Sequence, residues 1–255
     1  RARSIVMFRD RTLPAAQQRA RKAGFEGAKY PWEADPEDGT EQVLYAAHRL
    51  SVGEIHVNAD IAIAQWQYWL TTHDLEWLRK DGWPVIRDVA DFWASRATYD
   101  KAKRRYEIRD VVSVMEPYAH IDNDTFTNAA AAKALRIATQ AAKLVGAEAD
   151  PRWAEIAAKL YIPFSGAEQR HFPLDPGVRL HDPGDSDLTF LAFPSLDLQM
   201  DRAVRRNDYH NEVAPLLKKP GQELTSMGLA PLTIAAATLG NPADTARWLA
   251  DNISG

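Results

Sequence analysis

The sequence predicts an all-α protein, built as a toroid or a bundle of helices. Three observations favour this class: apolar residues recur at helical spacing, Pro and Gly bound the resulting segments, and strand-like runs are short. About eight or nine helices follow, joined alternately by short and long connections. No repeat or charged linker divides the 255 residues, so we expect a single domain over residues 1–255.

In the first half of the chain, Pro and Gly set the helix boundaries. Pro14 stands in the first turn of a helix that Gly24 ends, and Pro84 opens another helix. Residues 25–41 contain several Pro and Gly residues and predict a loop. The predicted helices cover residues 13–23, 58–80 and 84–97.

The second half begins with a Val- and Ile-rich run at 106–115, which predicts a strand, and a polar loop at 116–127. Thr127 or Asn128 then caps an alanine-rich helix that ends near Gly146. The Pro- and Gly-rich stretch 162–186 shows no clear period. Further helices are predicted at 151–160, 186–193, 203–213, 224–239 and 242–252.

Composition and charge exclude several classes of protein. The 31 basic and 35 acidic side chains leave a net charge of −4 without long runs of one sign, so we expect no nucleic-acid partner and no membrane-surface binding. No stretch is long and apolar enough to predict a membrane span. Cysteine is absent, which excludes disulfides and thiolate sites. We expect no metal or cofactor, and the sequence indicates neither a compartment nor an oligomeric state.

The first candidate site is the loop 27–33, with the sequence GAKYPWE. It combines the cation of Lys29, the ring of Trp32 and the carboxylate of Glu33. Aromatic faces stack on sugar rings while charged groups bind hydroxyls, so this mixture is typical of a sugar site. A Pro-Trp turn that serves only packing is the alternative.

The second candidate site is the stretch EIHVNADIA at 54–62, where polar residues alternate before a helix. His56 and Asp60 are the candidate binding residues. Helix capping by Asn58 or Asp60 and a buried core histidine are the alternatives. Since no second His stands at ligand spacing, the pattern does not favour a metal site.

The third candidate site is the stretch VMEPYAHIDNDTFTN at 114–128. Glu116 directly follows the predicted strand and begins a polar loop, next to Pro117 and Tyr118. Partial burial there would raise the pKa of the Glu116 carboxyl toward that of a general acid. An ordinary surface loop is the alternative.

Together and in this order, the three stretches resemble glycoside hydrolase family 65, which includes acid trehalases, kojibiose, maltose and trehalose phosphorylases, and protein-glucosylgalactosylhydroxylysine glucosidases. The family has a loop like GA(K/R)YPWE, a later E-x-H-x-x-x-D-I, and a general-acid loop PDEYH followed by NN-x-(Y/F)-TN. Counting back without gaps from Thr127-Asn128 places the family's acid on Glu116. The resemblance covers nearly the whole chain.

This resemblance implies an (α/α)6 barrel, of which the chain would be the whole or the central part. The loops 25–41, 116–127 and 162–186 would gather at one end as the sugar-binding face. Glu116 would be the general acid. The substrate-binding residues would be Lys29, Trp32, Glu33, His56, Asp60 and Tyr118.

The sequence also departs from the family pattern. Met115-Glu116-Pro117-Tyr118 replaces Asp-Glu-Tyr-His, and Gly184-Asp185 replaces a Lys-Gln pair. The family's Phe-Trp-Asp-Thr-Glu motif would precede Arg9, and its hydrolytic base would follow Gly255. We therefore expect the chain to be a central piece of a catalytic domain that, expressed alone, is inactive or aggregates.

The expected activity is inverting hydrolysis of a trehalose-, kojibiose- or glucosylgalactose-type α-glucoside. A phosphorylase of the same family is the alternative, but Glu223 would repel phosphate in the segment that corresponds to the family's phosphate loop. Glu223 is also a candidate for the general base, unless it only stabilises a helix start. A carbohydrate-binding scaffold without activity is the third hypothesis.

Overall fold

A computed structural model of the chain describes residues 1–42, 53–116, 118–180, 188–192, 201–218 and 226–254. These residues are mostly α-helical, and their named strands form two short antiparallel hairpins. The predicted all-α class is confirmed. The chain divides into two compact units, Arg1–Tyr161 and Ile162–Gly255. The single domain stays a prediction.

The first unit holds the candidate site residues from Lys29 to Tyr118. Its helices are α1 (Ala2–Arg11), α2 (Leu13–Lys22), α3 (Val57–Thr72), α4 (Leu75–Trp77), α5 (Trp83–Arg96), α6 (Thr125–Val145) and α7 (Pro151–Lys159). A π-helix (Leu78–Gly82) joins α4 to α5, and the strands β1 (Thr98–Asp100) and β2 (Arg105–Glu107) pair as a hairpin. Helix α1 was not predicted from the sequence. Only Val6 of this helix is buried, so its sequence shows no clear apolar face.

The helix predicted for residues 58–80 is wrong at its C-terminal end. Helix α3 ends at Thr72 because His73 takes a left-handed φ of 52°. Asp74 then caps a new turn by accepting the backbone N–H of Trp77 at 3.0 Å. The break lies at a His-Asp pair, without the Gly or Pro that would have marked it in the sequence.

The strand predicted for residues 106–115 is mostly wrong. Only its first two residues lie in β2. Beyond them the backbone makes an isolated bridge between Val111 and Ile121 and otherwise runs as a loop. Val111 and Val112 are both buried although they are neighbours in the sequence. Their burial does not follow the alternation of a strand with one buried face.

The cap predicted for the alanine-rich helix is also wrong. Helix α6 is capped by Asp124, whose carboxylate accepts the Thr127 N–H at 2.7 Å. Thr127 and Asn128 lie inside the first turn and are buried. The cap at Asp124 therefore lies three residues before the earlier of the two predicted caps.

Helix α6 forms the centre of the first unit and packs against α3, α5 and α7. Its alanines at 129–132 are buried, and such small side chains let neighbouring helices approach closely. The largest fully buried side chains of this unit include Tyr30, Leu78, Ile86, Phe92, Trp93, Leu135 and Ile137. The core therefore fixes the starts of α3 and α6, where the second and third candidate sites lie.

The second unit combines a short hairpin with three α-helices. Its elements are β3 (Phe164–Ser165), β4 (Arg170–His171), a 3-10 helix (Leu188–Ala192), α8 (Arg202–Lys218), α9 (Ser226–Thr238) and α10 (Pro242–Ser254). The helices predicted at 203–213, 224–239 and 242–252 are confirmed apart from their ends, but the segment 186–193 forms only a 3-10 turn in its described part. None of the described helices combines the length and apolarity that a bilayer span requires.

Candidate active site

The loop 27–33 is held against α2 and α5 by its backbone. Gly27 has a φ of 64°, and a Cβ at this position would lie 2.0 Å from the carbonyl oxygen of Asp88. The Ala28 N–H donates to the same oxygen at 2.9 Å, and the Lys29 N–H donates to Ala16 at 3.0 Å. The glycine is therefore required for the loop to approach α5.

Asn58 ties this loop to the start of α3. Its Oδ1 accepts the Tyr30 N–H at 2.7 Å, and its Nδ2 donates to the carbonyl of Ile55 at 2.8 Å. The N-cap position of α3 is occupied by His56, whose side chain makes no capping bond. The helix-cap alternatives for Asn58 and Asp60 are therefore wrong.

Glu41 fixes the backbone of the Trp32-Glu33 pair. Its carboxylate oxygens accept the N–H groups of both residues at 3.0 Å and also pair with Arg19 at 2.9 Å. Sequence analysis missed Glu41. Its partners lie 8 to 22 residues away, and no local pattern could have shown the contacts.

His56 is buried at the centre of the site and is bonded through both ring nitrogens. Nδ1 lies 2.8 Å from Oδ2 of Asp60, and Nε2 lies 3.1 Å from Oε1 of Glu54. Burial opposes the charged form, but the bonds to Asp60 and Glu54 and their negative charges raise the pKa of His56 to about 10. His56 is therefore an imidazolium at neutral pH, with both N–H groups donating to carboxylates.

Two aromatic rings meet His56 edge to face. The ring centroid of Trp32, from the loop, lies 5.5 Å away at an interplanar angle of 77°. The centroid of Phe126, in the first turn of α6, lies 5.2 Å away at the same angle. His56 therefore brings together the three stretches that sequence analysis singled out.

Glu54 is a second buried group that sequence analysis did not assign to the site. Its Oε2 has no hydrogen-bond partner within the described part of the chain. Burial raises the pKa of Glu54, and the negative charges of Glu116 and Asp124 act in the same direction. The sequence signal for this residue is the position of Glu54 two residues before His56, in the same run of alternating polar residues.

Glu116 lies at a strained turn beside this cluster. It has a left-handed φ of 49°, and its N–H donates to the carbonyl of Ser113 at 2.8 Å. Ser113 in turn donates its hydroxyl to Asp124 at 2.8 Å and its N–H to the carbonyl of the buried Tyr118 at 2.8 Å. The Glu116 side chain is exposed, so the expected partial burial is wrong.

The remaining candidate residues lie in different surroundings. Lys29 is buried, and burial together with the charges of Arg19 and Arg96 lowers its pKa to about 8. Glu33 is exposed on the loop. Glu223 lies outside the described residues. Within the described residues, no group of three or more His, Asp or Glu side chains is arranged to hold a metal ion.

Residues 1–172 match the family model described as the glycosyl hydrolase family 65 central catalytic domain. The chain belongs to glycosyl hydrolase family 65. The match spans the loop 27–33, the stretch 54–62 and the segment 114–128, and it confirms the family resemblance of these three stretches.

Three relatives illustrate the range of activities named in this family. A kojibiose hydrolase of Mucilaginibacter mallensis is 34% identical over 94% of this chain and 34% of its own length. A protein-glucosylgalactosylhydroxylysine glucosidase of Danio rerio is 35% identical over 81% of this chain and 31% of its own length. A kojibiose phosphorylase of Halothermothrix orenii is 37% identical over 50% of this chain and 18% of its own length. The family 65 chain therefore spans about a third or less of each relative.

A solved structure also shares the fold. It is a putative kojibiose phosphorylase from the human microbiome, which superposes with a TM-score of 0.76 at 15% sequence identity over 97% of this chain and 41% of that chain. This likeness shows that the chain shares the fold of that structure. Closure of a complete (α/α)6 barrel stays a prediction.

Proposed function

We propose that this family 65 protein hydrolyses an α-linked glucoside with inversion at the anomeric carbon, and that Glu116 is its general acid. The observation that carries the proposal is that the rings of Trp32 and Phe126 both contact His56. These contacts join the three sequence stretches into one cluster. The names of two relatives, a kojibiose hydrolase and a glucosylgalactosylhydroxylysine glucosidase, support the substrate class.

The reaction would need one proton donor and one proton acceptor. Glu116 would protonate the departing glycosidic oxygen as the bond to C1 breaks, while water attacks C1 from the opposite face and gives its proton to a base. The exposed carboxyl of Glu116, held on a turn beside Glu54, is accessible to a substrate. In inverting enzymes the two carboxyls stand roughly 6.5–9.5 Å apart, leaving room for the water.

The other site residues would bind the glucose unit. The half-buried ring of Trp32 offers a surface for stacking on a sugar face. Glu33 and Asp60, both with exposed carboxylate surface, can accept hydrogen bonds from hydroxyls. For the general base, Glu223 remains a candidate by sequence.

Phosphorolysis is the second candidate function, because one relative is a kojibiose phosphorylase. Phosphate would then replace the water, no base would be needed, and the product would be glucose 1-phosphate. The acidic Glu223 in the segment 222–228 argues against phosphate binding there.

A product assay tests these proposals. The purified full-length protein is incubated with kojibiose, trehalose or a glucosylgalactose, with and without inorganic phosphate, and the first products are followed by proton NMR. We expect β-glucose to form at the same rate with and without phosphate. Strictly phosphate-dependent glucose 1-phosphate would replace hydrolysis by phosphorolysis. Initial α-glucose from the glucosylgalactose, in which the glucosyl unit is the only source of glucose, would refute inversion. Binding without cleavage of any of these sugars would refute the enzymatic proposal.

A further inference from the structure

His56 has no ring nitrogen left for a sugar. An imidazolium offers two N–H donors and no acceptor, and both donors are directed at carboxylates, those of Glu54 and Asp60. The residue is 7% exposed. The family resemblance implied that His56 binds substrate, but this geometry instead makes it part of the framework behind the binding surface.

The Trp32 ring is the element of the proposed sugar surface that His56 touches. Glu41 fixes the backbone of Trp32. The edge-to-face contact with His56 restricts the orientation of the indole ring. On its other side His56 meets Phe126, which lies in the buried first turn of α6. The imidazole of His56 therefore connects the Trp32 ring to the buried first turn of α6 and restricts its movement.

We propose that His56 is a positioning residue that orients Trp32 for a glucosyl ring, with Glu54 and Asp60 fixing the imidazole from both sides. The sugar-binding part of this inference rests on the function proposed above. Glu54 thereby gains a role as a further positioning residue.

Several negative charges surround the imidazolium of His56. Glu54 and Asp60 contact the imidazolium directly, and Asp124 and Glu116 add negative charge nearby. With one carboxylate neutralised, the ring loses one charge-assisted bond and a constraint on its tilt. Glu54 is buried and is not among the residues proposed to contact the sugar, so its change to Gln tests the support of the imidazole alone.

A double-mutant cycle separates positioning from direct binding. The dissociation constant for D-glucose is measured by calorimetry for the full-length wild type, His56→Gln, Trp32→Ala and the double variant. If His56 acts through Trp32, we expect His56→Gln to weaken binding about tenfold in the wild-type background and to have no further effect in the Trp32→Ala background. Additive effects would mean that His56 binds the sugar itself, and would overturn the proposal.

Two measures keep this test decisive. If His56→Gln fails to fold, the same cycle is run with Glu54→Gln, which weakens the bond to Nε2 of His56 and for which the same pattern is expected. The matched control is His171→Gln in the second unit, a buried histidine bonded to Asp208 at 2.8 Å. This change should leave the dissociation constant for D-glucose unaltered in both the wild-type and the Trp32→Ala background. Coupling of His171 to Trp32 as large as that of His56 would show a general loss of structure and overturn the proposal.

NMR of the histidine rings tests the geometry without any activity. In the wild type we expect two bonded ring N–H signals from His56, assigned by their loss in His56→Gln, that persist from about pH 6 to pH 8 and do not move when D-glucose is added. A ring N–H of His56 that still shifts on glucose binding in Trp32→Ala would show direct contact with the sugar and would refute the positioning role. Failure of the wild type to cleave any glucoside would refute only the proposed function.

Discussion

The side-chain oxygen of Asn58 accepts the backbone N–H of Tyr30 at 2.7 Å, and this bond joins the loop 27–33 to helix α3. The other end of the Asn58 amide bonds to the carbonyl of Ile55. His56 lies between these two residues in the sequence, and Trp32 lies two residues after Tyr30. The Asn58 bond therefore fixes the spacing over which the rings of Trp32 and His56 meet.

We expect Asn58→Ala to destabilise the protein by about 1–3 kcal/mol, because the change leaves the N–H of Tyr30 and the carbonyl of Ile55 without their partner in a buried site. Urea unfolding monitored by tryptophan fluorescence measures this effect. Gln67→Ala, at an exposed position of the same helix, is the control and should change the stability by less than about 0.5 kcal/mol. Equal effects of the two changes would contradict the prediction.

Gly24, which precedes the loop, and Gly27, which lies within it, allow a direct comparison. Both Gly24 and Gly27 have left-handed φ values, of 82° and 64°, so alanine is strained at either position. At Gly27 the new Cβ would also lie 2.0 Å from the backbone oxygen of Asp88, whereas at Gly24 nothing lies within 4 Å. We expect Gly24→Ala to cost about 1 kcal/mol and Gly27→Ala more than about 3 kcal/mol.

Thermal unfolding of the two variants measures this difference. A loop displaced by Gly27→Ala should also separate Trp32 from His56 and alter tryptophan emission, while Gly24→Ala should leave emission unchanged. Similar unfolding temperatures for both variants would show that the approach of the loop to α5 is not as close as described.

The sequence could predict the three stretches of the candidate site because each combines unusual residue types over a short length. It could not predict how they meet. The bonds of Glu41 to Trp32 and Arg19 and that of Asn58 to Tyr30 join residues 9 to 28 positions apart, and no local period reports such contacts. The exposure of Glu116 was mispredicted for the same reason, since burial depends on what covers a loop.

The fold errors have a similar origin. Long helices with an apolar period, such as α6, were predicted, because most of their stability comes from the buried face that creates the period. The end of α6 near Gly146 was predicted correctly, whereas its cap lies three residues before the earlier of the two predicted caps. The end of α3 depends instead on a single backbone dihedral at His73, stabilised by the Asp74 cap. A His-Asp pair is too weak a signal against a continuing apolar pattern.

Glu116→Gln tests the assignment of the general acid. We expect turnover of the active glucoside to fall by about 10²–10⁴-fold, because the amide cannot protonate the leaving oxygen. Since Glu116 is exposed, the free energy of unfolding should change by less than about 0.5 kcal/mol. Glu76→Gln, an exposed acid in α4, is the control and should leave turnover unchanged. Near-normal turnover of Glu116→Gln would exclude Glu116 as the acid.

A separate electrostatic cluster stabilises the β1–β2 hairpin. The buried carboxylate of Glu107 lies 2.9 Å from Lys103, 2.7 Å from Arg105 and 2.8 Å from Arg109. Burial alone would raise the pKa of Glu107, but the bonds to the three cations outweigh it and lower the pKa to about 2. This carboxylate is therefore a source of pH-dependent stability.

We expect Glu107→Gln to destabilise the protein by up to about 3 kcal/mol at neutral pH. The unfolded chain binds a proton at Glu107 below about pH 4.5, whereas the folded chain does so only near pH 2, so the stabilisation is complete above pH 4.5 and is lost as the pH falls toward 2. Urea unfolding of wild type and variant should accordingly show a difference about 1 kcal/mol smaller at pH 3.5 than at pH 6. Glu155→Gln breaks a half-exposed pair with Lys159 at 2.9 Å and should cost almost nothing at either pH, because water screens such a pair. A Glu107 difference that is the same at both pH values would mean that the carboxylate acts by hydrogen bonding and shape alone, and not through its charge.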